Sequence, residues 1–344
     1  MNDFDVVIYD SVGVPFIGIT PRHHALGGSE LQTILVSESL AKLGKKVLVL
    51  NKTPHPAYQF GVFYYPIDIL RYKKIKCKNL IINRYSVLNY SMKENQASLP
   101  LNSSLEFDFP KISFDNIFFF LQDFYDMNWI KYFEYIQSLH FNAKFITVSN
   151  VLNESLPKTL NKKTIPNMVP DWVYEYKQIK NENKFIYCSA AIKGLTQTIQ
   201  LWNEIKLNNI FKNAILQIAN PGYDLIDHSI KDNKNIEIIG NLSFENLVDT
   251  IAKSAGIFYV NIFPETFCII AALANALKVK LHILCLNGIG ALKETIKNSH
   301  FITEDKKTFM HDFTKNYKFS IADPVQNYKS SYLINEWKEL LQYD

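Results

Sequence analysis

The sequence predicts an α/β protein built from two doubly wound, Rossmann-like parallel-sheet domains. Short continuous apolar runs alternate with segments of helical period through most of the chain. That alternation breaks over residues 161–171 and then restarts. The 344 residues suffice for two domains of ordinary size. Continuous apolar strands separated by helices point to a parallel sheet covered on both faces.

The elements follow in order. DVVIYD (5–10) reads as a buried strand, SELQTILVSESLAKL (29–43) as an amphipathic helix and KVLVLN (46–51) as a second strand, which completes a βαβ unit. NLIIN (79–83), NIFFFL (116–121) and KFITVS (144–149) are further strands. NKKTIPNMVPD (161–171) carries two prolines and little periodicity, and reads as a linker. Beyond it come strands at 184–190, 214–219, 235–240, 256–260 and 281–286, with helices opening at Gly194, Phe244, Thr266 and Ala291. The expected domains are 1–165 and 166–325, and the final stretch 330–343 reads as an amphipathic helix. In doubly wound folds ligands bind outside the carboxyl ends of the strands, where helix N-termini converge. Two such domains therefore suggest a phosphorylated ligand.

Composition narrows the class. Hydrophobic residues at 47% and charged residues at 20% give a chain with a real core. A net charge of +4 is too small for a nucleic-acid-binding domain of this length. The densest basic stretch is Arg71, Lys73, Lys74, Lys76 and Lys78. Its plain reading is a solvated loop or strand edge, and its sharper one a peripheral contact with an anionic membrane or an acceptor. Three of the four cysteines sit in apolar runs, and none has metal-ligand spacing such as CxxC. Together with an N-terminus unlike a signal peptide and the absence of an apolar run of ~18 residues, this leads to a cytoplasmic expectation.

Four loops carry the candidate chemistry. Glycine is scarce, 12 in the chain, so each surviving glycine points to a demand of the backbone. Gly27 and Gly28 precede a helix and could turn the chain tightly, bringing amides to an anion; the alternative is a plain turn capped by Ser29. Ser189-Ala190-Ala191-Ile192-Lys193-Gly194-Leu195 follows a buried strand and opens a helix. Lys193 there could neutralise a diphosphate leaving group, or be an exposed first-turn cation, which the helix dipole disfavours. In PETFCI, Glu265 could pair with sugar hydroxyls while the amides from Phe267 through Cys268 to Ile269 hold phosphate oxygens. Otherwise Glu265 merely complements the helix dipole. GIGALKET (288–295) is again a glycine loop before a helix. Neither GxGxxG nor a Walker A sequence occurs, which argues against a nicotinamide cofactor.

The order GGSE, SxxxKGL with Trp202 further along, PETFCI and GALKET resembles the family 4 glycosyltransferases of the GT-B fold, in the branch with GGSE and ETFCI motifs. The motifs run from Gly27 to Thr295 and keep the family's order. The resemblance implies a retaining, metal-independent transfer of a sugar from a nucleotide-diphosphate donor to a hydroxyl of a glycan, lipid-linked or protein acceptor, with no other cofactor. It implies that Gly27 and Gly28 lie against the donor phosphates, Lys193 binds the diphosphate and Glu265 binds the donor sugar. It further implies that Ser189 and the backbone of Gly240, Asn241 and Leu242 hold the nucleotide, and that the C-terminal helix, about 326–344, crosses back to the N-terminal domain.

The sequence also departs from the family. Leu273 stands where the family has the second glutamate of its E-x7-E motif. Cys188 replaces an arginine, Lys278 a turn glycine, and Gln122-Asp123 the acceptor-side His-Asp. Losing the ribose-binding carboxylate would cost about 1.5–3 kcal/mol. The departures leave an alternative in view, a degenerate GT-B protein that binds a nucleotide sugar or a partner subunit without turnover.

Overall fold

The computed structural model describes residues 3–84, 111–140, 142–220, 234–296, 301–317 and 328–342. In chain order these form β1 (Phe4–Tyr9), α1 (Thr20–His23), α2 (Gly28–Lys42), β2 (Val47–Asn51), β3 (Ala57–Gln59), β4 (Val62–Pro66), β5 (Ile75–Asn83), β6 (Ile112–Leu121), α3 (Met127–Leu139), β7 (Lys144–Thr147), α4 (Asn150–Ser155) and β8 (Lys162–Thr164). Then come β9 (Asn181–Tyr187), α5 (Leu195–Ile205), β10 (Ile215–Ala219), β11 (Ile236–Gly240), α6 (Phe244–Lys253), β12 (Ser254–Asn261), α7 (Ile269–Ala276), β13 (Lys280–Cys285), α8 (Leu292–Thr295), β14 (Phe301–Thr303), α9 (Lys306–Asn316) and α10 (Ser330–Leu340).

The chain divides into two compact units. The first holds Met1–Gly18, Gln32–Ile165 and Ile334–Asp344; the second holds Ile19–Leu31 and Pro166–Leu333.

In the first unit the sheet order is β3-β4-β2-β1-β5-β6-β7-β8. Every pairing is parallel except β3 with β4. The central strands are apolar and buried along their lengths, as two-sided coverage demands. Gln59 pairs with Val62 across a two-residue loop in which Phe60 (φ 51) and Gly61 (φ 81) both take positive φ, as a type I′ turn requires. Phe119 stacks on Phe145 at 5.2 Å, with Phe133 against both. Residues of α10 from Ile334 onward belong to this unit; Trp337 meets Phe120 edge-on at 5.0 Å, and Lys163 pairs with Glu336 at 2.6 Å. The expected span 326–344 of this final helix includes 326, 327, 343 and 344, which lie outside the described residues.

In the second unit the order is β11-β10-β9-β12-β13-β14, all parallel. Trp202 of α5, Phe185 of β9, Phe258 of β12 and Phe313 of α9 form its aromatic core, with ring centroids 5.1–5.5 Å apart.

Several expectations need correction. The linker read over 161–171 contains β8, which pairs with β7. The helix expected from Thr266 begins at Ile269, and the one from Ala291 spans only four residues. The basic stretch is not a strand edge: Lys76 and Lys78 lie on β5, an interior strand, and Lys78 donates to the Gln342 carbonyl. Arg71 faces Asp68 at 3.6 Å, while Lys73 and Lys74 are exposed. Among the described residues no helix is long and apolar enough to cross a membrane.

Candidate active site

Two glycines fix the backbone around one charged pair in the second unit. After β9 the chain makes a tight turn over Ala191–Lys193 and reaches Gly194, whose φ is +125. A Cβ at Gly194 would lie 2.1 Å from the Val260 carbonyl oxygen, so only glycine lets the loop cross the end of β12 this closely. The Ile262 amide donates to the Lys193 carbonyl there (3.2 Å). Gly290, at φ +59, packs as tightly on the Glu265 backbone, where a Cβ would stand 2.3 Å from its carbonyl oxygen. That carbonyl accepts from the Ala291 amide at 2.7 Å. Lys193 and Glu265 are thus held from both sides by backbone contact.

Their side chains meet. Lys193 Nζ lies 3.0 Å from Glu265 Oε1 and 3.2 Å from Oε2. The Tyr259 hydroxyl donates to Oε1 at 2.9 Å. Glu265 is buried, whereas the Lys193 side chain keeps 38% of its surface in solvent. Burial raises the Tyr259 hydroxyl well above its ordinary pKa, and the neighbouring Glu265 carboxylate adds to this. Burial likewise pushes the Cys188 and Cys268 thiols far up, so neither is a thiolate nucleophile at neutral pH.

Cys268 takes a left-handed backbone (φ +70) and starts α7 without a side-chain cap, leaving the first amides of the helix without intrahelical partners. Phe267 lies ahead of this turn rather than in it. It is buried against Tyr328, and its carbonyl accepts from the Thr295 hydroxyl. Of the three positions whose amides were expected to hold phosphate, Phe267, Cys268 and Ile269, the last two stand at the start of α7.

Gly27 and Gly28 serve close approach rather than a turn, since neither has positive φ. A Cβ at Gly28 would come 2.7 Å from Ile269 Cδ1, and one at Gly27 2.4 Å from Glu30 Oε2. Ser29 is not a cap: the helix starts at Gly28, and the Ser29 hydroxyl donates to Glu30. The structure thus brings together Lys193, Glu265, Cys268, Ile269 and Gly28. Ser189 is half-buried beyond β9. Gly240, Asn241 and Leu242 stand at the end of β11, with β10 between it and β9.

Gln122 and Asp123 follow β6 in the first unit. Asp123 accepts from Arg84 Nε at 3.1 Å, and Gln122 donates to Asn83 Oδ1 at 3.4 Å. Asn83 in turn donates to Asp10 Oδ2 (2.8 Å) and to the Thr33 hydroxyl (3.0 Å). Sequence reasoning missed Asp10, Asn83 and Arg84. The available signal was a polar residue closing each apolar strand run. It missed Tyr259 too, which no signal separates from the apolar run around it.

No family profile and no curated protein sequence matches the chain. Solved structures do. AviGT4, a glycosyltransferase involved in avilamycin A biosynthesis, superposes with a TM-score of 0.61 at 12% identity, covering 98% of this chain and 97% of that one. Sucrose-phosphate synthase from Thermosynechococcus elongatus gives 0.61 at 10% identity, covering 98% and 96%. Anabaena HepE, solved in complex with UDP-glucose, gives 0.58 at 12% identity, covering 98% and 99%. The chain has the GT-B fold.

Within this GT-B chain the departures have structural consequences. Leu273 is buried on α7, 1% exposed. Lys278 takes a left-handed backbone (φ 53), a conformation that glycine adopts most readily. It closes α7 with two end-of-helix bonds, Lys278 N to Asn275 O and Val279 N to Ala274 O. Cys188 is buried, and burial pushes its thiol well above the ordinary range, so it presents no charge.

Proposed function

We propose that this chain is a glycosyltransferase of the family 4 type, moving a sugar from a nucleoside-diphosphate sugar to an acceptor hydroxyl with retention. The observation that carries the reading is the Lys193–Glu265 pair, fixed at the strand ends beside the uncapped start of α7. A cation and free amides suit a diphosphate, and a fixed carboxylate suits sugar hydroxyls. The GT-B neighbours support it, among them HepE, solved with UDP-glucose.

In this reading Lys193 and the amides of Cys268 and Ile269 take the charge of the departing diphosphate, so the reaction needs no bound metal. Gly27 and Gly28 approach the phosphates, Glu265 fixes the sugar, and Ser189 with Gly240–Leu242 holds the nucleoside. The bond from the anomeric carbon to the diphosphate breaks, the acceptor oxygen bonds the same face, and its proton passes to a diphosphate oxygen. Gln122 and Asp123 serve the acceptor, a glycan, lipid-linked sugar or protein, in the cytoplasm, with Lys73 and Lys74 available for an anionic membrane.

The burial of Leu273 favours a second reading, binding without turnover. A panel of nucleotide sugars, read by thermal shift and by release of free nucleoside diphosphate, decides between the two. Stabilisation with release, both lost in Lys193→Ala and the release alone lost in Glu265→Ala, is the result expected of a transferase. Stabilisation without release in any acceptor mixture means a binding protein, and no stabilisation by any donor overturns the site.

A further inference from the structure

The geometry points to a latch. We propose that the Lys193–Glu265 ion pair is the donor-free resting state of the site, opened by a diphosphate, and that Tyr259 is the positioning residue that keeps the Glu265 carboxylate in place when Lys193 leaves. This rests on the donor-site reading above and adds to it the ligand the site selects: one molecule carrying both a diphosphate and sugar hydroxyls, in preference to either alone.

The three side chains differ in their freedom to move. Glu265 is held through its backbone by Gly290 and Ala291, and its carboxylate is buried. Tyr259 is buried in β12, 3% exposed, with its ring against Tyr187 at 5.9 Å and its hydroxyl on Glu265 Oε1. Lys193 has a fixed backbone but a flexible four-carbon stem, and 38% of its side chain faces solvent. Of the three partners, only the ammonium can swing away without disturbing the core.

An arriving diphosphate competes with Glu265 for that ammonium. Breaking the pair leaves a buried carboxylate short of one cation, which is costly unless another donor replaces it. Tyr259 retains Oε1, so the oxygen released is Oε2, and a sugar hydroxyl can donate to it. A nucleotide sugar supplies both replacements. A free nucleoside diphosphate draws Lys193 off and returns nothing to Glu265, so it binds less well than its phosphates alone would suggest. This asymmetry favours release of the spent nucleotide after transfer, because the latch recloses once the sugar has left.

The test is calorimetric titration of the full chain with UDP, ADP and GDP and with their glucose esters, in wild type, Glu265→Gln, Glu265→Ala and Tyr259→Phe. Wild type is expected to bind one nucleotide sugar at least fivefold tighter than its free diphosphate. Both Glu265 variants are expected to bind the free diphosphate about fivefold tighter than wild type and to lose the advantage of the sugar. Tyr259→Phe is expected to leave diphosphate affinity within twofold while lowering sugar-nucleotide affinity about fivefold, a split that a merely structural role would not produce. Unchanged or weaker diphosphate binding in both Glu265 variants overturns the latch. An equal loss of both ligands in Tyr259→Phe overturns the positioning role. If wild type binds none of the six, the donor-site reading itself falls and the latch with it, an outcome distinct from the first two.

Discussion

Each unit holds a buried carboxylate just beyond a central strand, Asp10 in the first and Glu265 in the second, and the two are satisfied differently. Among the described residues Asp10, after β1, accepts from neutral groups, the Asn83 amide at 2.8 Å and the Gly13 backbone amide at 3.2 Å. Glu265, after β12, faces an ammonium and a phenol. The amide network around Asp10 runs on through Thr33 and Gln122, so its members satisfy one another. An incoming anion gains nothing by competing for an amide already shared in this way. An ammonium on a flexible stem is a partner that an anion can draw away. The contrast separates a scaffold carboxylate from an exchangeable one.

The strongest way to sharpen the contrast is to add a third carboxylate with no partner at all. Leu273→Glu restores the residue the family resemblance implies, but at a position inside the core. It is expected to destabilise the second unit by at least about 3 kcal/mol at pH 7, with the loss shrinking as acid protonates the new side chain. Thermal melts between pH 4 and pH 8 check both statements. Gly194→Ala attacks the frame around the exchangeable carboxylate instead. The added Cβ meets the Val260 carbonyl in a backbone region that side chains rarely adopt, and a loss of about 3 kcal/mol is expected in chemical unfolding.

The two carboxylates also differed in how far the sequence revealed them. Glu265 was legible because it lies in PETFCI, one of four ordered motifs, and the glycines of two others, Gly194 and Gly290, answer to contacts with the backbone of Val260 and Glu265. Asp10 was not, because a single polar residue after an apolar run is an ordinary strand ending. The β3–β4 hairpin escaped for a related reason: its turn is Phe60-Gly61, where the recognisable signal would be Asn-Gly. Strands β1, β2, β5–β7, β9, β10, β12 and β13 were legible because two-sided burial imposes continuous apolar runs, whereas β11, also legible, is an apolar edge strand only partly buried. The start of α7 was misplaced because nothing local announces a left-handed Cys268. Tyr259 shows the limit most clearly, since its ring belongs to the core pattern and only its hydroxyl reaches the site.

A smaller effect tests the scaffold side. Asp10→Asn replaces one of two acceptor oxygens with a donor that faces Asn83 or Gly13, so one buried bond is lost. The expected cost is about 1–3 kcal/mol in unfolding free energy. The decisive feature is that this cost stays the same with and without a saturating nucleoside diphosphate. A cost that depends on the ligand would place Asp10 among the exchangeable groups and erase the distinction between the units.

The smallest effect concerns a buried cation in the second unit. Lys280 donates to the Asn316 carbonyl at the end of α9 and lies over the Phe301 ring at 5.7 Å. Burial, with help from Lys180, lowers its pKa from 10.5 to about 8. The unfolded chain therefore holds a proton that the folded chain has released between about pH 8 and pH 10.5. Stability rises with pH wherever the unfolded state binds more protons, so this group penalises folding fully below pH 8 and progressively less above it. Between pH 7 and pH 9.5 a shift of this size amounts to about 1–2 kcal/mol. Urea unfolding of wild type and Lys280→Met, at pH 7 and again at pH 9.5, isolates it. Wild type should gain about that much on the variant as pH rises. A loss in wild type relative to the variant would mean that the carbonyl and the ring hold the charge as firmly as Lys193 holds Glu265.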